Sequence, residues 1–429
     1  MWNTITQSYL NNNNTLFESM ILANLDGTPS GLSSNTSFDS FGRLRTSNPH
    51  TLFDSAHRYR DNGLWFEDAN GGASASSFNA DEGLIDMTLG TTSGEELIRE
   101  TKRVFSYQPG KSLLFLSTFV FEDAKTNLRQ RVGYFGADNG FYFEQDDSTA
   151  YFTRRSSVTG IAVNTQVAQS DWNVDKLDGT GISGFTLDTS KAQILFMDIE
   201  WLGTGTVRMG FILNGKFIHC HSFHHANDAE TTYITTASLP IRYEITNTDT
   251  TSGASTLKQI CSTVISEGGY RLIGKSQSAS TALSTPYTLT TANTFYPVVS
   301  IQLKTTNLDA IVFPSNIHIA GDGTGGASIY EWKLVQNATL TSPSFVNVSD
   351  SSVQYDISAS GYSGGNDLDS GFFSVSNQSA NNVDILKDII FKHQLERNSF
   401  TSTPTPFTIA IANTNSSQDV FASIGWEEV

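Results

Sequence analysis

"GTVRMGFILNGKFIHCHSF", Gly205–Phe223, reads as two β-strands joined at Asn214 and Gly215. Asn-Gly between two runs of β-branched and aromatic residues is a strong short-range hairpin signal, because both residues tolerate the positive φ of a tight turn. The second strand carries the densest group of imidazoles in the chain. Strand periodicity puts Phe217, His219, His221 and Phe223 on one face and Ile218, Cys220 and Ser222 on the other. His219 and His221 are therefore expected side by side, with His224 and His225 just beyond. Zinc sites use three or four ligands, commonly including thiolates, and here Cys220 faces away from the histidine pair. No metal is expected, and the four histidines are read as candidates for an oligomer interface.

The same texture extends outward. "KSLLFLSTFVF", "RQRVGYFG", "GFYFEQ", "AQILFMDIEWLG" and "LPIRYEI" are short, rich in β-branched and aromatic residues, and bounded by Gly, Asn, Asp or Pro. So many strands at this spacing predict a sandwich or jelly roll. The stretch Gly274–Pro286 is rich in Ser, Thr and Ala and reads as a linker, after which a second β unit runs from "FYPVVSIQLK" to "FASIGWEEV". One helix is predicted over Asp384–Arg397, where Ile385, Ile389 and His393 recur at i+4. Residues 1–45 are polar and Asn-rich and read as an extended docking arm, with Phe41, Arg43, Leu44 and Arg45 as its anchoring residues. The expected organisation is all-β: the arm 1–45, then two jelly-roll or concanavalin-like β-sandwich domains, 46–280 and 281–429.

Composition narrows the function. Of the 429 residues 16% are charged and 38% hydrophobic, and the net charge is −17. That balance disfavours a nucleic-acid partner, since phosphate binding works by counterion release through Lys and Arg. No apolar run approaches the roughly 20 residues of a membrane span, so no membrane insertion is expected. No basic region followed by an apolar stretch marks a signal peptide. Cys220 and Cys261 are too few for a disulfide framework.

Three motifs invite a chemical reading. In "FMDIEWLG" Asp198 and Glu200 alternate along a strand, a spacing suited to paired carboxylates. The stretch resembles part of the Glu-x-Asp-x-Glu signature of the endo-β-glucanase and laminarinase family. There the first Glu is the nucleophile, and here Phe196 stands in its place. "GDGTGG" (Gly321–Gly326) has the dinucleotide-loop spacing but precedes a strand-like run rather than a helix. "GYSGGNDLDSG" offers Asn366, Asp367 and Asp369 as oxygen ligands without EF-hand spacing. Trp65, Phe66 and Tyr362 are aromatic candidates for stacking on sugars, with core packing the alternative. No catalytic residue and no cofactor is assigned.

Five segments in one order, "FGRLRTSNPHTLFDSAHRYRDN", "IRETKRVFSYQPGKS", "NLRQRVGYFG", "DIEWLGTGTVRMGF" and "LPIRYEITNT", span about residues 40–275. Together they resemble virion structural proteins of tailed phages, especially those of marine cyanobacteria. The resemblance implies a particle component rather than an enzyme: a tail or tail-fibre protein made in the host cytoplasm and placed on the particle exterior. A head decoration or capsid-fibre protein is the alternative within that class, and a glycan-degrading enzyme of the particle the alternative outside it. Expected partners are further copies of the chain in a homotrimer, neighbouring virion proteins through the arm, and host cell-surface glycan.

Overall fold

The computed structural model describes residues 3–10, 16–23, 48–269, 274–322, 327–376, 383–385 and 393–429. The chain forms two compact units, Met1–Pro49 and His50–Val429. In the first, Asn3–Leu10 and Leu16–Ala23 pair as antiparallel strands, with Ile5 opposite Ile21 and Tyr9 opposite Phe17. This pair lies within residues 1–45, the stretch expected to form an extended arm. "LFESMILA" carries β-forming residues that favour such pairing. Phe41, Arg43, Leu44 and Arg45 lie outside the described residues.

The second unit is all-β, apart from a single 3-10 turn at Gln169–Asp171 among the described residues. Its first part is a sandwich of a seven-stranded and an eight-stranded antiparallel sheet. The seven-stranded sheet runs Val163–Ala168, Thr149–Ser156, Gly140–Asp146, Leu128–Phe135, Ile241–Asn247, Glu96–Thr101, Trp65–Asn70. At the centre of the eight-stranded sheet, Ser112–Val120 lies between Gln193–Ile199 and Ser255–Glu267. Sequence-distant strands thus sit side by side in both sheets, as in a jelly roll. Ser112–Val120 buries every second residue, the pattern of a strand with one face on the core. Between the sheets, Phe121 and Phe143 stack at 5.6 Å, and Phe152 stacks on Trp172 at 4.2 Å. The Tyr243 hydroxyl pins the layers together through Ser117 (2.6 Å) and Ser262 (2.8 Å).

The second part packs a five-stranded against a six-stranded antiparallel sheet around Trp426 and the stacked pair Tyr330/Phe373. Lys275–Ser280, inside the stretch read as a linker, is a strand paired with Gln418–Glu428. Only Ala279 of that strand is buried, so its sequence lacks the apolar alternation that marks a strand. The predicted helix fails at both ends. Val383–Ile385 is a strand paired with Val312–Gly321, and Arg397–Asn398 pairs with Thr403–Pro404. Val383 and Ile385 alternate as well as they spiral, and residues 386–392 lie outside the described residues.

The two sandwiches meet at a seam with a small apolar centre of Val104, Ile311 and Phe313. Beside it Arg397 forms an ion pair with Glu100 at 2.8 Å and donates to Asp309 and to the Thr101 carbonyl, each at 3.1 Å.

Candidate functional site

In the seven-stranded sheet the central strands Leu128–Phe135, Gly140–Asp146 and Ile241–Asn247 are buried on both faces. Their inner face is the aromatic core. Their outer face is charged. Pairing aligns Arg131 with Glu144 on one side and Glu244 on the other, and Arg242 with Glu100. The side chains join into an alternating row. Arg131 donates to Glu144 and, at 3.2 Å, to Glu244; Arg242 forms ion pairs with Glu244 at 2.9 Å and with Glu100 at 3.6 Å; Arg397 completes the row from the second sandwich. Three guanidiniums thus balance three carboxylates, all buried.

Rings fill the gaps. Phe135 and Tyr142 lie 4.4 Å apart, with Arg131 over Tyr142, Arg242 over Phe135, and Arg155 over both. Gly133 makes this packing possible, since a Cβ there would come within 2.3 Å of the Phe141 carbonyl oxygen and 2.6 Å of Tyr142. Burial alone would raise the Glu244 carboxyl, but Arg242, Arg131 and Arg155 outweigh it and hold the group below the ordinary carboxylate range. Burial also opposes the charge of Arg131, and Tyr142, Glu244 and Glu144 together raise its pKa above the ordinary value. Glu244 is therefore a fixed anion and a hydrogen-bond acceptor, the reverse of the raised carboxyl that a general acid requires.

Where the row reaches the seam it opens into a cleft of about 430 Å³. Arg242, Glu100 and Arg397 form one wall, Asp309 and Phe400 lie on the second sandwich, and Asp138 and Asn139 come from the turn before Gly140–Asp146. The buried Asn139 side chain is held on both sides. Its amide donates to Ser157 (3.0 Å) and Thr235 (2.7 Å), and its oxygen accepts the Thr235 N–H at 3.0 Å. The Arg242 guanidinium sits 5.7 Å from the Phe400 ring. Asp138 is exposed and has no ion-pair partner among the described residues. The cleft thus combines a ring, guanidiniums and the exposed carboxylate of Asp138, within the size range of small-ligand sites.

The histidines are arranged differently from the expectation. A β-bulge between Met209 and Gly210 leaves Cys220 unpaired, so Gly210 faces His219 and Met209 faces His221. One inserted residue reverses the side-chain alternation beyond it. His219 and His221 therefore do not share a face. His221 lies against Phe223 and Phe152, while the Nε2 of His219 bonds to Ser222 (2.9 Å). His225 stacks on Tyr233 at 3.9 Å, and exposed His224 contacts Thr206. Among the described residues no group of three or more His, Cys, Asp or Glu is placed to hold a metal. Both cysteines are free.

Asp198 is engaged by Arg208 and Ser112, and Glu200 lies past the strand end, accepting the Thr206 N–H at 3.3 Å. Phe196 packs against Phe217. Asp367 pairs with Lys333 at 2.7 Å, and Asp369 accepts the N–H of Ser370. Trp65 is in the core, donating to Ser55, and Phe66 lies under Lys102. Gly323–Gly326 of the glycine motif are outside the described residues. The charged row was missed in the sequence. Its signal was present: Arg131, Glu144, Arg242 and Glu244 alternate with core residues Val132, Phe143 and Tyr243, on a strand face that would ordinarily carry uncharged or mobile polar groups.

No protein-family model and no curated protein matches the chain. Solved structures similar to it include the CBM2 module of the evolved Dit of Lactobacillus casei BL23 phage J-1 (7% identity, TM-score 0.33, covering 53% of this chain and 100% of that one). A carbohydrate esterase of the Shiga toxin-encoding bacteriophage phi24B is similar at 12% identity and TM-score 0.29, covering 51% of this chain and 99% of that one. A β-1,3-glucanase from Mycobacterium marinum is similar at 8% identity and TM-score 0.33, covering 50% of this chain and 98% of that one. No residue role is carried over from them. Two of the three are named as enzymes, and the sequence-based expectation that the chain is not an enzyme is withdrawn on that finding.

Proposed function

We propose that this chain is a surface protein of a phage particle that binds glycan in the cleft at the seam. The observation that carries the reading is the cleft itself: about 430 Å³, one ring, and polar side chains held in place by the buried row behind them. Saccharide hydroxyls are donors and acceptors together, and a set of guanidinium and carboxylate groups matches both. The order of the five segments supports the particle assignment. In this proposal the arm before residue 46 docks onto a neighbouring virion protein, two sandwich domains meet near residue 280, and the chain assembles as a homotrimer on the tail or tail fibre. Head decoration is the alternative position. His219 and His224 are the histidines open to an oligomer contact.

Host envelope polysaccharide titrated into the protein tests the reading. Asp138→Ala and Phe400→Ala are each expected to weaken binding at least about tenfold, the scale of one lost polar or stacking contact. Binding unchanged in both variants would overturn the assignment of the cleft. New reducing ends in the same incubation would turn the binding site into a hydrolytic one. Immunogold labelling of heads with none on tails would favour the alternative position.

A further inference from the structure

A second cleft, of about 370 Å³, lies on the same seam, and its charge is opposite to that of the chain as a whole. Arg60, Lys102 and Arg103 line it against Asp61 and Glu396, and Asp61 is already committed to Arg99 at 2.7 Å. In a chain of net charge −17 this is a local excess of cations. The two clefts share a wall: Glu100 and Arg397 line the first, while the adjacent Lys102, Arg103 and Glu396 line the second.

The loop that carries Arg60 is built rather than loose. Asn62 donates to Ser55 at 2.5 Å and accepts the Leu64 N–H at 3.1 Å, and Asp61 is fixed by Arg99 from the neighbouring strand. At the tip of this rigid loop Arg60 is exposed and makes no ion pair among the described residues. Tyr59 before it is 90% exposed, an aromatic ring left in water. Across the cleft the Asn337 amide donates to Glu396 at 2.8 Å, and its buried side-chain oxygen has no hydrogen-bond partner. Burial lowers the pKa of the Arg103 guanidinium, and the Glu396 carboxylate opposes this only in part.

We propose that this second cleft binds a carboxylate-bearing sugar, a uronic-acid unit of an acidic glycan, with Arg60 and Lys102 at the carboxylate. A guanidinium fork matches a carboxylate in geometry and charge, and a cationic cleft in an acidic protein concentrates anions locally. The assignment rests on the glycan reading only in taking the ligand to be a sugar; it needs no ligand in the first cleft.

The test is titration of the full chain with glucuronate, glucose and inorganic phosphate. Glucuronate is expected to bind at least about tenfold more tightly than glucose, with added salt weakening it. Arg60→Glu, a change at an exposed position, is expected to abolish that preference, and Phe400→Ala in the first cleft to leave it unchanged. Equal binding of glucuronate and glucose, or indifference to Arg60→Glu, would overturn the proposal. Phosphate bound as tightly as glucuronate would also overturn it, by making the cleft a general anion site. Neutral glycan retained at the first cleft while glucuronate fails here would sink this proposal alone. The converse would sink only the first.

Discussion

At the scale of single residues, Arg131 is the member of the charged row with most to lose. It is the shared partner of Glu144 and Glu244, both buried. Removing one partner from a buried ion pair leaves a desolvated charge behind, which costs more than the pair itself contributes. Arg131→Met is therefore expected to destabilise the fold by about 3–5 kcal/mol, read from the urea midpoint. Replacing Glu144 and Glu244 by Gln in the same background should recover part of that loss. The cysteines give a second residue-level expectation. Cys220 is wholly buried, and burial pushes its thiol well above the ordinary range; Cys261 is exposed on the outer side of its strand, its thiol raised by burial to a lesser degree. Iodoacetamide should label one thiol in the native protein and two in denaturant, and mass spectrometry should place the native label on Cys261.

At the scale of elements, the hairpin shows what a sequence can and cannot specify. Asn214 and Gly215 do adopt positive φ, 50° and 73°, as their chemistry predicts. A β-branched residue is poorly tolerated there, so Gly215→Val should cost about 1–2 kcal/mol, measured by thermal or chemical unfolding. The turn was legible because its requirement is local. The bulge at Cys220, six residues beyond Asn214, was not: an unpaired residue is a property of the register between two strands, and nothing in "FIHCHSF" alone marks it. The charged row was hidden for the same reason, since Arg131, Glu144, Glu244 and Glu100 sit on four strands that only the sheet order brings together. The strand Lys275–Ser280 was hidden by composition, because its exposed positions favour Ser and Lys over apolar residues. The strands with one face on a core, Ser112–Val120 above all, were legible from their β-branched and aromatic content between turn residues.

At the scale of the whole molecule, acid and the seam set the limits of stability. His57 and His221 are both held down to about 4: burial dominates in each, aided by Arg99 for His57 and by His219 for His221. In the unfolded chain a histidine titrates near 6.5. Between about pH 6.5 and 4 the unfolded chain thus binds protons that the folded chain refuses, so stability present above that window is lost as pH falls through it. The melting temperature should drop from pH 7 to 4.5, and His221→Phe, which keeps a ring between Phe152 and Phe223, should flatten the dependence. The seam carries a different kind of load. Among the described residues its buried apolar cluster is Val104, Ile311 and Phe313, while Arg397 reaches Glu100, Asp309 and the Thr101 carbonyl. With so little apolar area, the coupling between the sandwiches should depend on that one guanidinium. Arg397→Ala leaves Glu100 with Arg242 as its remaining cation and frees the wall between the clefts. Scanning calorimetry is then expected to resolve two unfolding transitions where the unaltered chain shows one. A single unshifted transition in the variant would assign the coupling to the Val104–Phe313 contact, and Val104→Ala would become the change that separates the two sandwiches.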